Sequence, residues 1–461
     1  MLLRFKAWTE ACLNKYFTGE TMDYRQIFAL YFPILIDQLF IVGLNLVNTA
    51  MISSSGVAAV SAVNMVDSLN VFLINVFVAV ATGGTVVVAQ YKGSGNGLMV
   101  SRATSSSIAA VSLLALVIGM LIISFHHPLL QILFGSASGE VMSSAKVYLI
   151  GSGISFVGLA VVQAICGALR GVGKSRASLA LSLIMNLLYV LLNILFVAML
   201  NMGVMGMTIA INIARFAGAA CALYYLFRMD HTLHIRLREL FHVPFSMLRK
   251  IMFIGLPFAA EQMFFNGGKL LTQVFIVSLG TYAIATNAIA NTLAGFFQVP
   301  AAALSLTIVT VVGQCIGRGH VDDAKKFIRS FLWLGSILLL LSGLIFFPFF
   351  QPLVGLFNPP AEIVDDIFAL LLLTAICQVA LWPVSFVLPS ALRAAGDSKF
   401  TSISSMLSMW LFRVILGYLL AIPFGMGIMG VFIAMNCEWG IRGLIFLWRF
   451  RGKKWYKHKL I

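Results

Sequence analysis

Charged residues are scarce in this sequence. Asp, Glu, Lys and Arg together make up 10% of its 461 residues, and only 16 residues are acidic. A soluble protein of this length would carry about 25% charged residues. The shortage therefore argues against a soluble globular protein. The hydrophobic share of 60% and the mean hydropathy of +0.98 argue the same way.

Residues that bind metals or act as nucleophiles are also few and scattered. The six cysteines lack the spacing of a zinc site or a disulfide framework, and the seven histidines form no cluster. No candidate nucleophile has a base placed to activate it. We therefore expect no enzymatic activity, no catalytic residue, no metal site and no cofactor.

Long uncharged segments dominate the chain instead. Residues 68–91, 177–214 and 270–317, among others, contain no Asp, Glu, Lys or Arg. A helix needs about 20 apolar residues to cross a bilayer. With short turns inside the longest segments, the chain has room for twelve spans. We therefore predict an all-α polytopic membrane protein with twelve transmembrane helices.

The positive charge follows a pattern that is typical of membrane proteins. The 31 Lys and Arg residues give a net charge of +15, and most of them lie in the N-terminus, alternate loops and the C-terminus. This asymmetry is the positive-inside pattern. It predicts a multi-pass protein of the plasma (cytoplasmic) membrane with both termini in the cytoplasm. It also favours the lipid bilayer, rather than nucleic acid, as the partner of the basic segments.

The sequence repeats itself at an offset of 224 residues. At that offset PILIDQ (33–38) aligns with PFAAEQ (257–262), and ALRGVGKSR (168–176) aligns with ALRAAGDSK (391–399) at an offset of 223. A near-constant offset over several motifs indicates two halves of six spans each, with the same orientation. In transporters built from such parallel repeats, the substrate site lies between the halves.

The repeat and the charge pattern divide the chain into five parts. They are a cytoplasmic N-terminal segment (1–26), an N-lobe (27–228), a cytoplasmic linker (229–250), a C-lobe (251–449) and a basic cytoplasmic tail (450–461). The amphipathic middle of the linker is expected to lie along the membrane surface. The tail is expected to anchor the topology at the lipid surface.

One carboxylate interrupts the first apolar span. Asp37 stands within FPILIDQLF, and a charged aspartate at the centre of a membrane helix costs about 2.5–3.5 kcal/mol. Its repeat mate is Glu261, and each acid follows a helix-bending proline, Pro33 or Pro257, by about one turn. We predict that both acids face a central cleft and bind substrate or a coupling ion. The alternative is a carboxylate that is buried for packing and held by Gln38 or by a neighbouring helix.

Five more polar residues within the predicted spans are candidates for the same site. Asp67 is a second candidate for cation coupling. Lys269 or Arg413 could neutralise a cleft carboxylate when no substrate is present. Gln38 and Gln262 would orient the substrate or a carboxylate. Two alternatives remain for Lys269, namely a static interhelical salt bridge and a site that attracts an anion.

Another pair of charges within the spans is expected to be structural. Glu438 and Arg442 lie four residues apart on one predicted helix. Residues at this spacing are neighbours on a helical face. We therefore expect Glu438 and Arg442 to form a structural ion pair.

Several of these motifs, taken in order, resemble the multidrug and toxic compound extrusion (MATE) antiporters. The resemblance rests on the double repeat, the proline of PILIDQ, VAQYKGSG with VGQCIGRG, LRGVGKS with LRAAGDS, and the LNMGVMGMTIA turn, and it covers nearly all of residues 25–450. It implies a bacterial transporter, with the DinF-like branch as a candidate subgroup. It further implies two six-helix bundles around a central cleft, alternating access, and export of amphipathic cations driven by H+ or Na+. We expect a monomer.

Two positions depart from the family pattern. The family often has V-D-T-x-M where this chain has VNTAM with Asn48, and D-P-L-F where it has NILF with Asn193. An amide can ligate Na+ but cannot carry a coupling proton. A proton-coupling role in the N-lobe would therefore pass to Asp37 or Asp67. We favour H+ over Na+, although Asn48, Asn193 and Asp67 together could supply ligands for Na+.

A second function is compatible with the same architecture. Flippases for lipid-linked oligosaccharides or polysaccharides, from the same broad superfamily, can share the bundle. They often carry additional spans or a markedly basic cleft. Twelve spans favour the antiporter, as does the near balance of acidic and basic residues in the predicted cleft. These residues are Asp37, Asp67 and Glu261 against Lys269 and Arg413.

Overall fold

The structure, a computed structural model, describes most of the chain. It covers residues 2–53, 56–135, 138–230, 233, 235, 243–458 and 460–461. For residues 2–9, 45, 46, 48–53 and 57 the backbone alone is described. The predicted site residue Asn48 therefore lies outside the described side chains. Part of the predicted linker, 229–250, lies outside the described residues.

Every regular element within these ranges is helical. The helices are α1 (Leu2–Phe17), α2 (Tyr24–Ser53), α3 (Val57–Gly93), α4 (Gly97–Phe134), α5 (Gly139–Gly171), α6 (Ser175–Asn193), α7 (Gly203–Tyr224), α8 (Phe245–Ser278), α9 (Thr281–Arg318), α10 (Val321–Phe346), α11 (Phe350–Gly355), α12 (Val364–Trp382), α13 (Leu388–Ala394), α14 (Ser398–Ser408), α15 (Gly417–Ala421) and α16 (Gly427–Arg451). Short π-helical turns join α12 to α13 (Pro383–Val387) and α14 to α15 (Met409–Leu416). The second half thus builds three of its spans from consecutive pieces, with α10 and α11 forming the third.

Eleven helical segments of the described chain are long and apolar enough to cross a membrane. The twelfth predicted span is α8, whose 34 residues would extend over about 50 Å. Its hydropathy is lower because Glu261, Gln262, Asn266 and Lys269 interrupt its apolar residues. Six spans therefore fall in each half, and the predicted all-α polytopic fold is confirmed.

Helix α5 is the centre of a compact unit, Phe32–Ala259, here called the N-terminal unit. It contacts α3, α4, α6 and α7. Small residues let membrane helices approach closely. A Cβ on Gly158 of α5, for example, would lie 2.9 Å from the Arg215 carbonyl oxygen of α7. This central position matters because α5 carries polar side chains, among them Tyr148 and Arg170, toward its neighbours.

The other compact unit, here called the C-terminal unit, combines Met1–Tyr31 with Ala260–Ile461. Helix α9 is central in it and contacts α10, α12 and α13. The first residues of the chain are hydrogen-bonded to α10. The Thr21 N–H donates to Asp323 Oδ2 at 2.8 Å, and Ser330 Oγ donates to a carbonyl at the end of α1 at 2.6 Å.

This division differs from the predicted domains. The predicted N-terminal segment, 1–26, is not separate, because the chain up to Tyr31 belongs to the C-terminal unit. The unit boundaries lie within α2 and α8, after Tyr31 and Ala259, rather than at residues 26 and 250. The hydrogen bonds to α10 explain the difference, and neither hydropathy nor charge pattern reveals such contacts.

The basic tail folds against the C-terminal unit. Trp455 is fully buried, and its indole N–H donates to a backbone carbonyl of α16 at 3.0 Å. Arg449 donates two hydrogen bonds, of 2.6 and 3.0 Å, to the Asp397 carboxylate, and His458 Nε2 lies 3.2 Å from the same group. These contacts tie the tail to the turn between α13 and α14. The role of the tail as a lipid-surface anchor stays a prediction.

The sequence repeat reappears in the backbone conformation. Each of four repeated turns carries a glycine with positive φ in both halves of the chain. A side chain is strained in this conformation, so glycine is favoured there. The same turn chemistry therefore serves both halves. The pairs are Gly56 and Gly280, Gly95 and Gly319, Gly173 and Gly396, and Gly203 and Gly427.

Replacement of Gly280 by Ala should destabilise the protein through backbone strain alone. Gly280 has φ 101° and ψ 173°, a region that only glycine populates readily, and an added Cβ would meet nothing within 4 Å. We expect Gly280→Ala to lower the free energy of unfolding by about 1–3 kcal/mol. Thermal unfolding of the detergent-solubilised protein measures the effect.

Gly267 provides the matched control, because it lies within α8 and its surroundings are equally open. Gly267→Ala should leave the Tm unchanged or raise it, since Ala favours a helix more than Gly does. A Gly280→Ala protein with the wild-type Tm would contradict the account.

Candidate functional site

Asp37 lies in the N-terminal unit with one carboxylate oxygen unsatisfied. The residue is on α2 and is 9% exposed. The Ser182 hydroxyl of α6 hydrogen-bonds to it, and Arg170 of α5 supplies a nearby positive charge. Asp37 Oδ1 is buried and has no hydrogen-bond partner among the described residues. A buried polar atom without a partner costs about 1–3 kcal/mol, so this oxygen calls for an explanation.

Glu261, the repeat mate of Asp37, is held more firmly within the C-terminal unit. Its Oε2 accepts hydrogen bonds from Arg393 Nη1 at 2.9 Å and from Ser402 Oγ at 3.0 Å. Glu261 is 8% exposed and Arg393 is 6% exposed, so the ion pair is buried. Such a pair stabilises the charged form of both groups.

The two acids each have an arginine from the same repeated motif nearby. Arg170 and Arg393 are the arginines of ALRGVGKSR and ALRAAGDSK. The expectation that Lys269 or Arg413 neutralises the predicted cleft acid is therefore corrected for Glu261, whose partner is Arg393. The sequence interpretation missed both motif arginines because it placed them in loops outside the membrane. Their constant offset, matching that of the acids, was the available signal.

Asp67 belongs to a separate polar network of the N-terminal unit. Its Oδ1 accepts hydrogen bonds from the Tyr148 hydroxyl at 3.0 Å and from Asn70 Nδ2 at 3.2 Å. Arg215 supplies the nearby positive charge and donates to Ser155 Oγ at 2.7 Å. Both described hydrogen-bond partners of the Asp67 carboxylate are therefore donors.

This network extends to Asn193. Tyr189 hydrogen-bonds to Tyr148 and to Asn193. Asp67 and Asn193, two of the three predicted Na+ ligands, thus belong to one network, but two tyrosines lie between them. The sequence interpretation missed these tyrosines, because aromatic residues are common in membrane helices and carry no specific signal.

Glu438 is the centre of a buried charge cluster in the C-terminal unit. It is fully buried, with Arg442 Nη1 2.8 Å from its Oε1 and Arg413 Nη2 2.9 Å from its Oε2. Arg442 is the partner that the helical spacing predicts. Arg413, expected beside a cleft acid, joins the same cluster instead. Two buried arginines share one carboxylate, so the cluster has a net positive charge.

A cavity of about 480 Å³ lies beside this cluster in the C-terminal unit. Arg413 and Lys269 both line it. Lys269 Nζ lies 4.8 Å from the centre of the Phe265 ring, and Arg413 Cζ lies 5.3 Å from the same centre. The volume falls within the range of small-molecule sites. The arrangement suits a small ligand of the C-terminal unit.

The other predicted residues flank the two repeat-related acids. Pro33 and Pro257 lie within α2 and α8, and both helices continue through their proline. Gln38 and Gln262 are half-buried neighbours of the acids. The described contacts include no hydrogen bond from either glutamine side chain. Their orienting role stays a prediction.

These features define a polytopic membrane transporter with two repeated halves and charged groups inside its spans. Comparison with known proteins agrees. A family model described as MatE matches residues 33–195 and again residues 257–419. The chain therefore belongs to the MatE family of membrane transporters and is not an enzyme. The two matched ranges are offset by the same 224 residues as the sequence repeat.

Relatives match the chain over nearly its whole length. The uncharacterized transporter YisQ of Bacillus subtilis (strain 168) is 28% identical over 435 residues, which cover 93% of this chain and 94% of YisQ. The probable multidrug resistance protein NorM of Thermotoga maritima is 25% identical over 446 residues, which cover 95% and 94%. A solved multidrug resistance MATE family transporter in an outward-facing conformation matches with a TM-score of 0.86 at 18% identity, covering 94% of this chain and 96% of that one. The resemblance to MATE transporters is confirmed, and membership of the DinF-like branch stays a prediction.

The two repeat-related acids should differ in their contribution to stability. Glu261→Gln removes the charge that neutralises buried Arg393, and breaking a buried pair from one side costs about 3–5 kcal/mol. Asp37→Asn changes a carboxylate that already has one unsatisfied oxygen, so we expect a loss of about 1 kcal/mol or less. Thermal unfolding of the purified variants compares them.

Asp365→Asn serves as the control, because Asp365 is an exposed acid in the first turn of α12. It should unfold at the wild-type temperature. If Asp37→Asn destabilised the protein as much as Glu261→Gln, the proposed difference between the two carboxylates would be wrong.

Proposed function

We propose that this transporter is a proton-coupled antiporter that exports small amphipathic molecules by alternating access, with Asp37 as the residue that carries the proton. The observation that supports this role is the buried Asp37 Oδ1, which has no donor among the described residues. Family membership supports transport. The Thermotoga relative and the solved transporter are both described as multidrug resistance proteins, which supports a small-molecule cargo.

The surroundings of Asp37 allow both protonation states. A protonated carboxyl group no longer requires a donor at each oxygen, and it can still accept the hydrogen bond from Ser182. The positive charge of Arg170, in contrast, favours the ionised form. A change in hydration or in the distance to Arg170 would therefore load or release the proton. Such a difference between two access states is what coupling requires.

Glu261 is a weaker candidate for this role than its repeat mate. Its direct pairing with Arg393 and its hydrogen bond from Ser402 both favour the charged form. Proton uptake would leave Arg393 buried without its counter-charge. We therefore propose that Glu261 stays ionised and holds α8 to α13.

The partners of Asp67 favour H+ over Na+ as the coupling ion. A sodium site needs several oxygen atoms that point at the ion. The Asp67 carboxylate instead receives hydrogen bonds from Tyr148 and Asn70, and the Arg215 charge lies nearby. A second cation would compete with these groups. We propose that Asp67 stabilises the packing of the N-terminal unit.

The basic loops support an orientation with both termini in the cytoplasm and placement in the plasma membrane. The cationic class of cargo and the monomeric state stay predictions. The cavity of about 480 Å³ suits a drug-sized molecule, and no described feature favours a lipid-linked oligosaccharide.

Efflux from reconstituted proteoliposomes tests the coupling role of Asp37. Ethidium serves as a cationic probe and 2-naphthalenesulfonate as an anionic one, so that coupling is measured whatever the charge of the cargo. An imposed pH gradient should drive efflux of at least one probe, and a Na+ gradient should not. Asp37→Asn should reduce the pH-driven rate to that of empty liposomes, since an amide cannot carry the proton.

Asp365→Asn, an exposed acid replaced by the same amide, should retain the wild-type rate. Folding of each variant is checked by its Tm. Gradient-driven efflux that survives in folded Asp37→Asn, or efflux driven by Na+ alone, would contradict the proposal.

A further inference from the structure

We propose that the cavity of the C-terminal unit binds an amphipathic organic anion, with an aromatic body and an acidic group such as a sulfonate or carboxylate. This inference concerns the charge of a bound ligand, which the proposed function leaves open. It is independent of whether Asp37 carries a proton. It differs from the cationic cargo that the family resemblance implies.

The charges around the cavity are unbalanced. Lys269 and Arg413 line it, and none of the described lining residues is acidic. The nearest carboxylate, Glu438, is fully buried and already shared by Arg413 and Arg442. Lys269 has no salt bridge among the described contacts. Three basic groups therefore face one acid, and the ammonium group of Lys269 has no counter-charge.

The two lining cations are close enough to act on one ligand. Lys269 Nζ and Arg413 Cζ lie 4.8 and 5.3 Å from the centre of the same Phe265 ring. Their separation cannot exceed the sum of these distances. Lys269 is exposed, whereas Arg413 is held in place by Glu438. A negative group between them would gain from both charges.

Unsatisfied donors at the cavity point to the same chemistry. Arg413 is 7% exposed and Trp439 is 4% exposed, and both line the cavity. The buried Arg413 Nε and Trp439 Nε1 have no hydrogen-bond partner among the described residues. Both groups can only donate. A ligand that supplies acceptor oxygens would satisfy them, whereas a cationic ligand would not.

The internal repeat shows how the C-terminal unit lost an acid at this place. The repeat mate of Asp67 is Asn291, a neutral amide that lines the cavity. Asn291 Nδ2 donates to Asn287 Oδ1 at 2.7 Å, and Asn287 Nδ2 donates to Gln273 Oε1 at 3.1 Å. These amides provide polarity without negative charge. A cation would therefore meet no carboxylate here.

Aromatic side chains supply a surface for the body of the ligand. Trp382 stacks on Phe386 with ring centres 4.7 Å apart, and Trp439 meets Phe386 edge-on at 5.8 Å. All three line the cavity. Aromatic pairs prefer stacked or edge-to-face contacts, which a flat ligand can extend. The volume of about 480 Å³ is sufficient for a bicyclic aromatic acid.

Two probes with the same ring and opposite charge test the inference. Purified full-length protein in a neutral detergent is titrated with 2-naphthalenesulfonate and with 2-naphthyltrimethylammonium, and each Kd is corrected for binding to empty micelles. The sulfonate should bind at least about tenfold more tightly, because a charge-assisted hydrogen bond contributes that much. Lys269→Gln should weaken sulfonate binding about tenfold or more.

Two variants control for loss of positive charge and for misfolding. Lys269→Arg keeps the charge and should keep most of the affinity. Lys146→Gln removes an exposed lysine of the N-terminal unit and should leave the Kd unchanged. Equal affinity for the two probes, an absence of sulfonate binding, or an unchanged Kd in Lys269→Gln would each overturn the inference. None of these outcomes depends on proton coupling, so a failed efflux assay and a failed titration are distinguishable.

Discussion

A charge inside a membrane protein is stable when another group neutralises it, and this constraint organises both units. Glu261 is held by Arg393, and Glu438 is shared by two arginines. Two residues of the described chain depart from this rule. Asp37 keeps a buried oxygen without a donor, and Lys269 lines a cavity without a salt bridge. We place the proton-coupling site at the first and the anion site at the second.

The two halves share a backbone plan but have diverged in charge. Positive-φ glycines mark the same turns in both, and a carboxylate follows the first proline of each half. Asp37 has one methylene fewer than Glu261, and Glu261 reaches its arginine directly. Asp67 is matched by Asn291, so the C-terminal unit lacks an acid where the N-terminal unit has one. Small changes at repeated positions can thus give the halves different tasks.

The fold was largely predictable from the sequence, because uncharged segments and a constant repeat offset report directly on membrane spans. The Glu438–Arg442 pair was predictable because helical spacing alone brings the two side chains together. The partner of Glu261 was not, since Arg393 reaches it only through the packing of α13 beside α8. The same limit applies to Tyr31 and the residues before it, whose attachment to the C-terminal unit depends on tertiary hydrogen bonds.

The central claim is that Asp37 exchanges a proton while Glu261 stays ionised. Infrared difference spectroscopy of the purified transporter, recorded between high and low pH, tests it most directly. We predict a carbonyl-stretch band of a buried protonated carboxylic acid at low pH, which disappears in Asp37→Asn and persists in Glu261→Gln. A band that persists in Asp37→Asn and disappears in Glu261→Gln would contradict the account.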